Sequence, residues 1–183
     1  MVIFEVMRVL PILTLIGIFL LTTSVSAQEA NDDKYLEKVK TLDSTLKTLY
    51  GVISGEKGEA RDWELFRYLF KPDAKMIPTW KNPAEVISAR YMTPEDYIKR
   101  SGPWLVENGF IEKEIYRTSN TFGPISQVFS TYECYHSVND AQPFMRGINS
   151  IQLLYDNNRW WVVNIYWTQE TEKNPIPVNY LPK

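Results

Sequence analysis

The sequence predicts an α+β fold in which helices cover one face of a curved antiparallel sheet. Amphipathic segments with helical spacing come first, a short pair of strands and a further helix follow, and four long strand-like segments fill the C-terminal half. Long strands joined by short turns pair antiparallel, whereas parallel strands need a crossover connection. Helices that precede such a sheet pack on one of its faces.

Three segments have the features of helices. Apolar residues recur every three or four positions over residues 32–52 and again over residues 59–70, as in helices that lie on a core. Thr93 can cap a third helix, because a proline and two acidic residues follow it. We expect this helix to end near Arg100, since Ser, Gly and Pro at residues 101–103 favour a break, with at most one further turn beyond.

The remaining segments are rich in β-branched and aromatic residues, as strands are. Short strands are predicted at residues 76–80 and 85–91, and long strands at residues 110–121 and 125–137. Two more strands occupy residues 146–170 and meet at an Asp-Asn-Asn-Arg turn. This last hairpin must be buried on at least one face, because its three tryptophans carry too much apolar surface to leave in water.

The apolar residues of the last strand also predict its register. A two-residue turn would set Gln152 against the apolar face of that strand, whereas a loop one residue longer would set Ile151 and Asn149 there. We predict the longer loop, because it gives the drier core. The apolar face is expected to hold Trp161, Val163, Ile165 and Trp167.

Composition supports a single globular domain. The chain has 183 residues, of which 44% are hydrophobic and 14% aromatic, which is enough for one well-packed core. The formal net charge of -2 provides no basic field for phosphate groups, so we expect no nucleic-acid partner and no attraction to anionic membranes. The domain would end at residue 172, and the proline-rich residues 173–183 would form an extended tail on the surface.

Residues 1–27 have the three parts of a secretory signal peptide. A short lead containing Arg8 precedes an apolar run at residues 9–21, and small or hydroxyl-bearing residues follow up to Ala27. We expect cleavage after Ala27, a mature domain that begins at Gln28, and export to the periplasm or the medium. The apolar run is shorter than the roughly 20 residues that span a bilayer, so no stable membrane span should remain after cleavage.

Three segments, in this order of elements, resemble the nuclear transport factor 2-like superfamily, and within it the bacterial SnoaL-like branch. They are ARDWELFRYLFKPDAKMIPT at residues 60–79, FGPISQVFSTYE at residues 122–133 and RGINSIQLLYDNNRWWVVNIYW at residues 146–167. The resemblance covers nearly all of the mature chain. It implies a cone-shaped fold, in which a bent sheet wraps around the helices and leaves an apolar cavity at the wide end.

The same resemblance says little about activity. The superfamily holds isomerases, dehydratases, cyclases, transport factors and many domains without a known reaction. In its enzymes a carboxylate or a histidine in the cavity acts as general base. No motif of this chain assigns that role to one residue, so a reaction is not inherited with the fold.

The chain lacks the residues for several kinds of site. One histidine and one cysteine cannot build a multi-histidine or cysteine-rich metal site, and no HExxH, CxxC, GxGxxG or GxxxxGK pattern occurs. We therefore expect no metal and no cofactor. The single cysteine, Cys134, also excludes an internal disulfide, and its place within a strand predicts a buried, unreactive thiol.

His136 is the histidine available as a general base. Cys134 shares its face of the strand, but a rise of about 3.3 Å per residue puts it about 7 Å away, too far for a thiolate-imidazole pair. His136 could instead pair with Asp140 or Glu133 and abstract a proton. The competing interpretation, which we favour, is a surface histidine with a structural role.

Aromatic and polar residues on several elements are candidates for the wall of a cavity. The sequence leaves open which face of the strand at residues 125–137 turns inward. Aromatic residues with helical or strand spacing also form plain core more often than a binding site. The candidate wall residues are Trp63, Tyr68, Trp104, Tyr132, Asn149 and Trp167. Arg146 could meet an anionic ligand at the mouth, although a surface ion pair is the commoner role of such an arginine.

Three functions compete on this basis. The first, favoured by the aromatic inventory, is an exported domain that binds a small hydrophobic or amphipathic molecule without catalysis. The second is a lyase, isomerase or cyclase that uses His136 with Asp140 or a buried carboxylate. The third is a homodimeric interaction module, joined through the outer face of the sheet, where Trp160 and Tyr166 would lie.

Overall fold

The computed structural model describes residues 34–183 of the chain. Contacts divide the chain into two compact units, Met1–Leu36 and Glu37–Lys183. Of the first unit, residues 34–36 are described, and they are helical. The signal peptide predicted for residues 1–27 and its cleavage site lie outside the described residues. The sheet and the helices named below belong to the second unit.

The helix predicted over residues 32–52 is interrupted. In the second unit residues 37–39 are helical, and helix α1 then covers Leu42–Ile53. Thr41 caps α1, and its hydroxyl oxygen accepts the backbone N–H of Ser44 over 3.0 Å. The prediction of one continuous helix is therefore wrong at Thr41, because a threonine that caps a new helix cannot continue the preceding one.

Helix α2 covers Trp63–Tyr68, and the Asp62 carboxylate caps it by accepting a backbone N–H over 2.9 Å. The helix is shorter than the predicted residues 59–70. The helix cannot begin before its cap at Asp62, and strand β1, Phe70–Lys81, begins just beyond its C-terminal end. Strand β2, Ile87–Ala89, then pairs antiparallel with the end of β1.

Helix α3 covers Pro94–Asn108 and begins, as predicted, after the capping residue Thr93. The predicted break is wrong, because the helix continues through Pro103. Beyond the proline, Leu105 is only 3% exposed, and the buried Arg61 donates from Nη2 to the Leu105 carbonyl over 3.0 Å. Burial and this hydrogen bond hold a helix that the local sequence disfavours.

The sheet has six strands in the order β2-β1-β6-β5-β4-β3 and is not closed. Register shifts interrupt the pairs β1/β6, β3/β4 and β5/β6, and such bulges bend a sheet. The predicted α+β class and curved sheet around helices are confirmed. The sheet is mixed rather than wholly antiparallel as predicted, because β1 lies parallel to β6. The four long strands are β3 Ile111–Phe122, β4 Ile125–Tyr135, β5 Met145–Asp156 and β6 Arg159–Gln169.

The last hairpin closes through a two-residue turn at Asn157 and Asn158. Their φ angles are 52° and 61°, and two consecutive positive values define the tight turn whose twist matches that of the flanking strands. Asparagine tolerates this backbone conformation better than most residues do. The longer loop that we predicted is therefore wrong.

A β-bulge at Val163 nevertheless restores the register that the longer loop was expected to supply. The extra residue in β6 leaves Val163 without a cross-strand partner. Val163 is 39% exposed, and Trp161 pairs with Leu154, next to the inward-facing pair of Val162 and Leu153, so the predicted place of Val163 and Trp161 on the same face as Ile165 is wrong. The resulting pairs are Leu153 with Val162, Gln152 with Asn164, Ile151 with Ile165 and Asn149 with Trp167.

Strand β4 shows which face of the sheet is turned inward. Alternate residues of this strand are at most 2% exposed, namely Val128, Ser130, Tyr132 and Cys134. Cys134 is thus the buried free thiol that the sequence predicts. Phe129, Thr131, Glu133 and Tyr135 have the opposite phase and lie on the outer face.

The proline-rich tail packs on the outer face of the sheet. Ile176 is 8% exposed, and its backbone N–H donates to Glu170 Oε1 over 2.9 Å. A short 3₁₀ helix, Val178–Tyr180, follows. It places the Tyr180 carbonyl where it accepts the Thr131 hydroxyl over 2.7 Å. Within residues 34–183, no helix is both long and apolar enough to cross a lipid bilayer.

Candidate functional site

A cavity of about 190 Å³ lies between the inner face of the sheet and helices α1 to α3. Aromatic rings form much of its wall, contributed by Tyr50, Phe66, Tyr97, Trp104, Phe110, Tyr132 and Trp167. Aliphatic side chains complete the apolar wall, from Leu49, Ile53, Met76, Leu105, Met145 and Ile165. The polar wall residues are Ser101, Glu112 and Asn149. A mostly apolar cavity with a few convergent polar groups is typical of a small-molecule site.

Polar side chains from four elements, α1, β3, β4 and β5, form one hydrogen-bonded cluster at the cavity wall. Asn149 of β5 donates from Nδ2 to Glu112 Oε1 on β3, and also to the Tyr50 hydroxyl of α1, each over 3.1 Å. The Tyr50 hydroxyl donates to Ser130 Oγ over 2.7 Å, and Ser130 donates to Glu114 Oε1 over 2.5 Å. The cluster therefore holds Glu112 in one position at the cavity wall.

Glu112 is the group in this cluster that can exchange a proton near neutral pH. Burial raises the pKa of Glu112 to about 7, and the hydrogen bond from Asn149 opposes part of that rise. Burial, and then the negative charge of Glu112, raise the pKa of the Tyr50, Tyr97 and Tyr132 hydroxyls. These phenols therefore stay protonated while Glu112 titrates.

Local structure explains how Glu112 comes to face the cavity. It lies opposite the fully buried Cys134 in the β3/β4 pair, so it shares the inner face of the sheet. Ser54, the C-cap of α1, accepts the Glu112 backbone N–H at its Oγ over 2.9 Å. On β5, Gly147 leaves room for the neighbouring ring, because a Cβ there would lie 2.4 Å from the Tyr132 hydroxyl oxygen.

Four of the six predicted wall residues line this cavity, namely Trp104, Tyr132, Asn149 and Trp167. The other two pack elsewhere. Trp63 lies edge-on to Phe66, with ring centroids 5.6 Å apart. The Tyr68 ring stacks on the Arg159 guanidinium at 3.6 Å. Trp63 and Tyr68 thus serve packing, which is the alternative that helical spacing left open.

The structure does not bring the predicted catalytic side chains together. His136 is exposed, lies outside the cavity wall, and stacks on Phe144 with ring centroids 4.1 Å apart. Asp140 accepts the backbone N–H of His136 over 2.9 Å and so braces the turn, without contacting the imidazole. Glu133 lies on the outer face and accepts the Tyr135 hydroxyl over 2.6 Å. The structure therefore does not form the imidazole-carboxylate pair, and His136 has the surface position of the interpretation that the sequence favoured.

Arg146 forms an ion pair, which is the commoner of the two roles considered for it in the sequence analysis. Its Nε lies 2.7 Å from Glu170 Oε2, and Glu170 also accepts the N–H of Ile176. Arg146 is absent from the cavity wall among the described residues. It anchors the tail to the sheet instead of meeting a ligand.

The sequence interpretation missed Glu112, Tyr50 and Tyr97. A signal for Glu112 was present, since it follows Phe110 at the two-residue spacing of a strand face. The isoleucine at Ile111 is also buried, so both faces of the strand start carry apolar residues. Tyr50 and Tyr97 sit on helices, and their approach to Glu112 depends on how those helices pack.

A second hollow, of about 380 Å³, lies on the outer face between the sheet and the tail. It is larger than the inner cavity, but the one carboxylate in its wall, Glu170, is already bonded to Arg146 and to the backbone of Ile176. The inner cavity holds the proton-exchanging group and the polar cluster. We therefore take the inner cavity as the candidate site.

No family model matches the chain, and no curated protein matches it in sequence. Solved structures match it in three dimensions. An NTF2-like protein of unknown function from Silicibacter pomeroyi is 12% identical, with 70% of this chain and 92% of that chain covered and a TM-score of 0.51.

Two further matches are described as having a cystatin-like fold. A protein of unknown function from Nostoc punctiforme is 10% identical, with 72% of this chain and 90% of that chain covered and a TM-score of 0.54. An uncharacterised protein from Caulobacter vibrioides is 11% identical, with coverages of 72% and 89% and a TM-score of 0.50. Identities this low show a common fold and carry no chemistry with them. The chain has the nuclear transport factor 2-like fold.

Proposed function

We propose that the inner cavity binds a small, mostly apolar molecule that carries one polar group. The observation that supports this most is the wall itself, in which aromatic and aliphatic side chains surround a single polar cluster at Glu112 and Asn149. Apolar walls favour a ligand by removing its surface from water, and a few fixed polar groups orient it. Trp104 is 45% exposed and lies at the rim, where a ligand would enter.

The test is ligand-observed NMR on the purified protein with benzyl alcohol, a probe that has one ring and one hydroxyl. Ile165→Phe would fill the cavity from β6, since Ile165 lines the wall and is 6% exposed. Val163→Phe introduces the same residue on the same strand, but at the exposed bulge. Binding is expected for the natural protein and for Val163→Phe, and its loss for Ile165→Phe.

The outcome that overturns the proposal is equally specific. Benzyl alcohol that fails to bind the natural protein, or that binds Ile165→Phe unchanged, removes the cavity as its site. Circular dichroism and a thermal melt of each variant show whether Ile165→Phe is folded. If that larger residue prevents folding, Met145→Phe fills the cavity from β5 and replaces it in the test.

A second candidate function is a proton-transfer enzyme, such as an isomerase or a lyase, with Glu112 as its base. It is favoured by a cavity carboxyl whose pKa is about 7, because such a group can take and return a proton near neutral pH. Tyr97 and Tyr132 line the same cavity and could donate to a developing oxyanion. This candidate replaces the pair of His136 and Asp140 with the Glu112 carboxylate of the cavity wall.

Its test is the exchange of α-protons of phenylacetone in D₂O, followed by NMR. An enzyme of this kind would speed exchange above the buffer rate, and Glu112→Gln would lose the effect. His136→Gln serves as the control outside the cavity and should exchange the ketone as the natural protein does. Exchange at the buffer rate with every variant, or loss in His136→Gln alone, counts against Glu112 as a base.

We also propose that the protein is exported and that its first 27 residues are removed. The support is the arrangement of charge, apolar run and small residues before Gln28. Mass spectrometry of protein recovered from the export compartment is expected to find a chain that starts at Gln28. A chain found in the cytoplasm with residues 1–27 intact would contradict export.

A further inference from the structure

The wall of the inner cavity carries an acidic side chain and no basic one among the described residues. Glu112 is the charged residue of its wall, and no lysine, arginine or histidine lines the cavity among residues 34–183. Carboxylates buried in protein are normally paired with a cation or left neutral. Here the protein supplies Glu112 with one hydrogen bond donor, Asn149 Nδ2, at Oε1. Glu112 is half-buried, and within the same residues its Oε2 accepts no hydrogen bond from the protein.

The rest of the wall is suited to a positive charge. Seven of the sixteen wall residues are aromatic, and ring faces attract cations through their quadrupoles. Cavities lined with aromatic rings are the usual recognition sites for ammonium groups. A metal ion fits less well, because hard cations need several oxygen ligands and this wall offers one carboxylate.

We propose that the ligand of this cavity is a lipophilic organic cation, an amine or a quaternary ammonium, whose charge faces the Glu112 carboxylate while its apolar part contacts the rings. This inference rests on the proposed binding function and narrows it to one class of ligand. The cation supplies the counter-charge that the protein withholds from Glu112, and the aromatic wall covers the remainder of the ligand.

The surroundings of Glu112 define how such binding depends on pH. The titratable groups that interact with it are Tyr50 from α1, Tyr97 from α3, and Tyr132 and Cys134 from β4. The pKa of each of these groups is raised, first by burial, so all four stay neutral while Glu112 titrates. A permanent cation should therefore bind more tightly as pH rises through about 7, where Glu112 becomes negative.

The test compares two probes of similar apolar part, benzyltrimethylammonium, which is charged at every pH, and benzyl alcohol, which is neutral. At about pH 8, we expect the ammonium to bind about tenfold more tightly than the alcohol. That ratio should shrink at about pH 5.5, and Glu112→Gln should bring it close to one at both pH values. Benzoate, an anion of the same ring size, should bind more weakly than either.

Each outcome separates this inference from the binding function on which it rests. If benzyl alcohol does not bind, the cavity function itself fails. If benzyl alcohol binds and the ammonium binds no more tightly at about pH 8, the function stands and the cationic ligand is refuted. A Glu112→Gln variant that keeps the preference refutes the cationic ligand as well. Glu107→Gln, an exposed carboxylate at the end of α3, controls for the loss of one charge.

Discussion

Asn149 Nδ2 donates a hydrogen bond of 3.1 Å to Glu112 Oε1, from β5 across the inner face of the sheet to β3. Strand β4 separates the two in the sheet order, so neither residue is a sequence neighbour or a strand partner of the other. The same Asn149 nitrogen also donates to the Tyr50 hydroxyl. One amide thus joins a helix to the sheet and sets the position of the carboxylate.

The raised pKa of Glu112 predicts an unusual dependence of stability on pH. Between an ordinary value of 4.5 and about 7, the folded protein holds a proton that the unfolded chain has lost. The stability that this group contributes is therefore complete at acid pH and is lost as pH rises through 7. Glu112→Gln removes the effect, so its free energy of unfolding relative to the natural protein should rise by up to about 3 kcal/mol from about pH 4.5 to 8.

Urea unfolding at several pH values measures this difference directly. Glu107→Gln is the matched change on the exposed end of α3. A difference between Glu112→Gln and the natural protein that stays constant with pH would show that Glu112 titrates normally.

The Asn149 side chain should contribute strongly to the stability of the fold. Asn149→Leu keeps the shape but removes the donor to the buried Tyr50 hydroxyl and to the half-buried Glu112 carboxylate. We expect a loss of about 1–3 kcal/mol in the free energy of unfolding, because the Tyr50 oxygen and Glu112 Oε1 both lose the hydrogen bond that Asn149 donates. The pKa of Glu112 should rise further, since the hydrogen bond from Asn149 lowers it. Carbon NMR of the Glu112 carboxyl follows that midpoint.

The control for Asn149→Leu is Gln152→Leu, an amide on the opposite face of the same strand. Gln152 Oε1 accepts Asn164 Nδ2 over 2.6 Å, and both side chains are partly exposed, so water can replace the lost partner. A change within about 0.5 kcal/mol is expected. If both variants lose the same free energy of unfolding, the hydrogen bonds of Asn149 in the cavity cluster contribute no more to stability than those of a surface amide.

Much of the fold follows from local sequence signals, and the departures have physical causes. Long alternating segments gave the strands because side chains on a sheet alternate between its faces. The bulge at Val163 could not be predicted from alternation, because Val162 and Ile165 both pack inward although they are three residues apart. The continuation of helix α3 through Pro103 could not be predicted from the local sequence either. It is stabilised by tertiary structure, namely the hydrogen bond from Arg61 and the burial of Leu105.

The candidate site was harder to predict than the fold. Asn149 and Tyr132 were named as candidates although the sequence left open which face of their strands turns inward. Glu112 was not, because a glutamate beside Ile111 is typical of the solvent side of a strand. Its role depends on Tyr50 and Tyr97, which come from two different helices, and single-sequence periodicity contains no information about such contacts.

Gly147 should tolerate no side chain. A Cβ at this position would lie 2.4 Å from both the Thr168 carbonyl oxygen and the Tyr132 hydroxyl oxygen. Gly147→Ala is therefore expected to lower the free energy of unfolding by about 1–3 kcal/mol through overpacking. Gly51→Ala makes the same change in α1, where nothing lies within 4 Å, and should raise stability by about 0.5–1 kcal/mol. Chemical denaturation compares them, and a stable Gly147→Ala would refute the close approach.

The tail should keep the outer face of the sheet from associating with a second copy. Phe129 lies under the Tyr180 ring with centroids 5.0 Å apart, and Thr131 is 1% exposed because the tail covers it. Removing residues 175–183 uncovers both and leaves an apolar patch that is stabilised by burial against another molecule. Sedimentation of the shortened chain should therefore show a mass that grows towards a dimer with concentration. Val178→Ala, at a tail residue that is 85% exposed, should sediment like the full chain. If the shortened chain keeps the mass of a monomer at every concentration, the tail is not what prevents association through the outer face of the sheet.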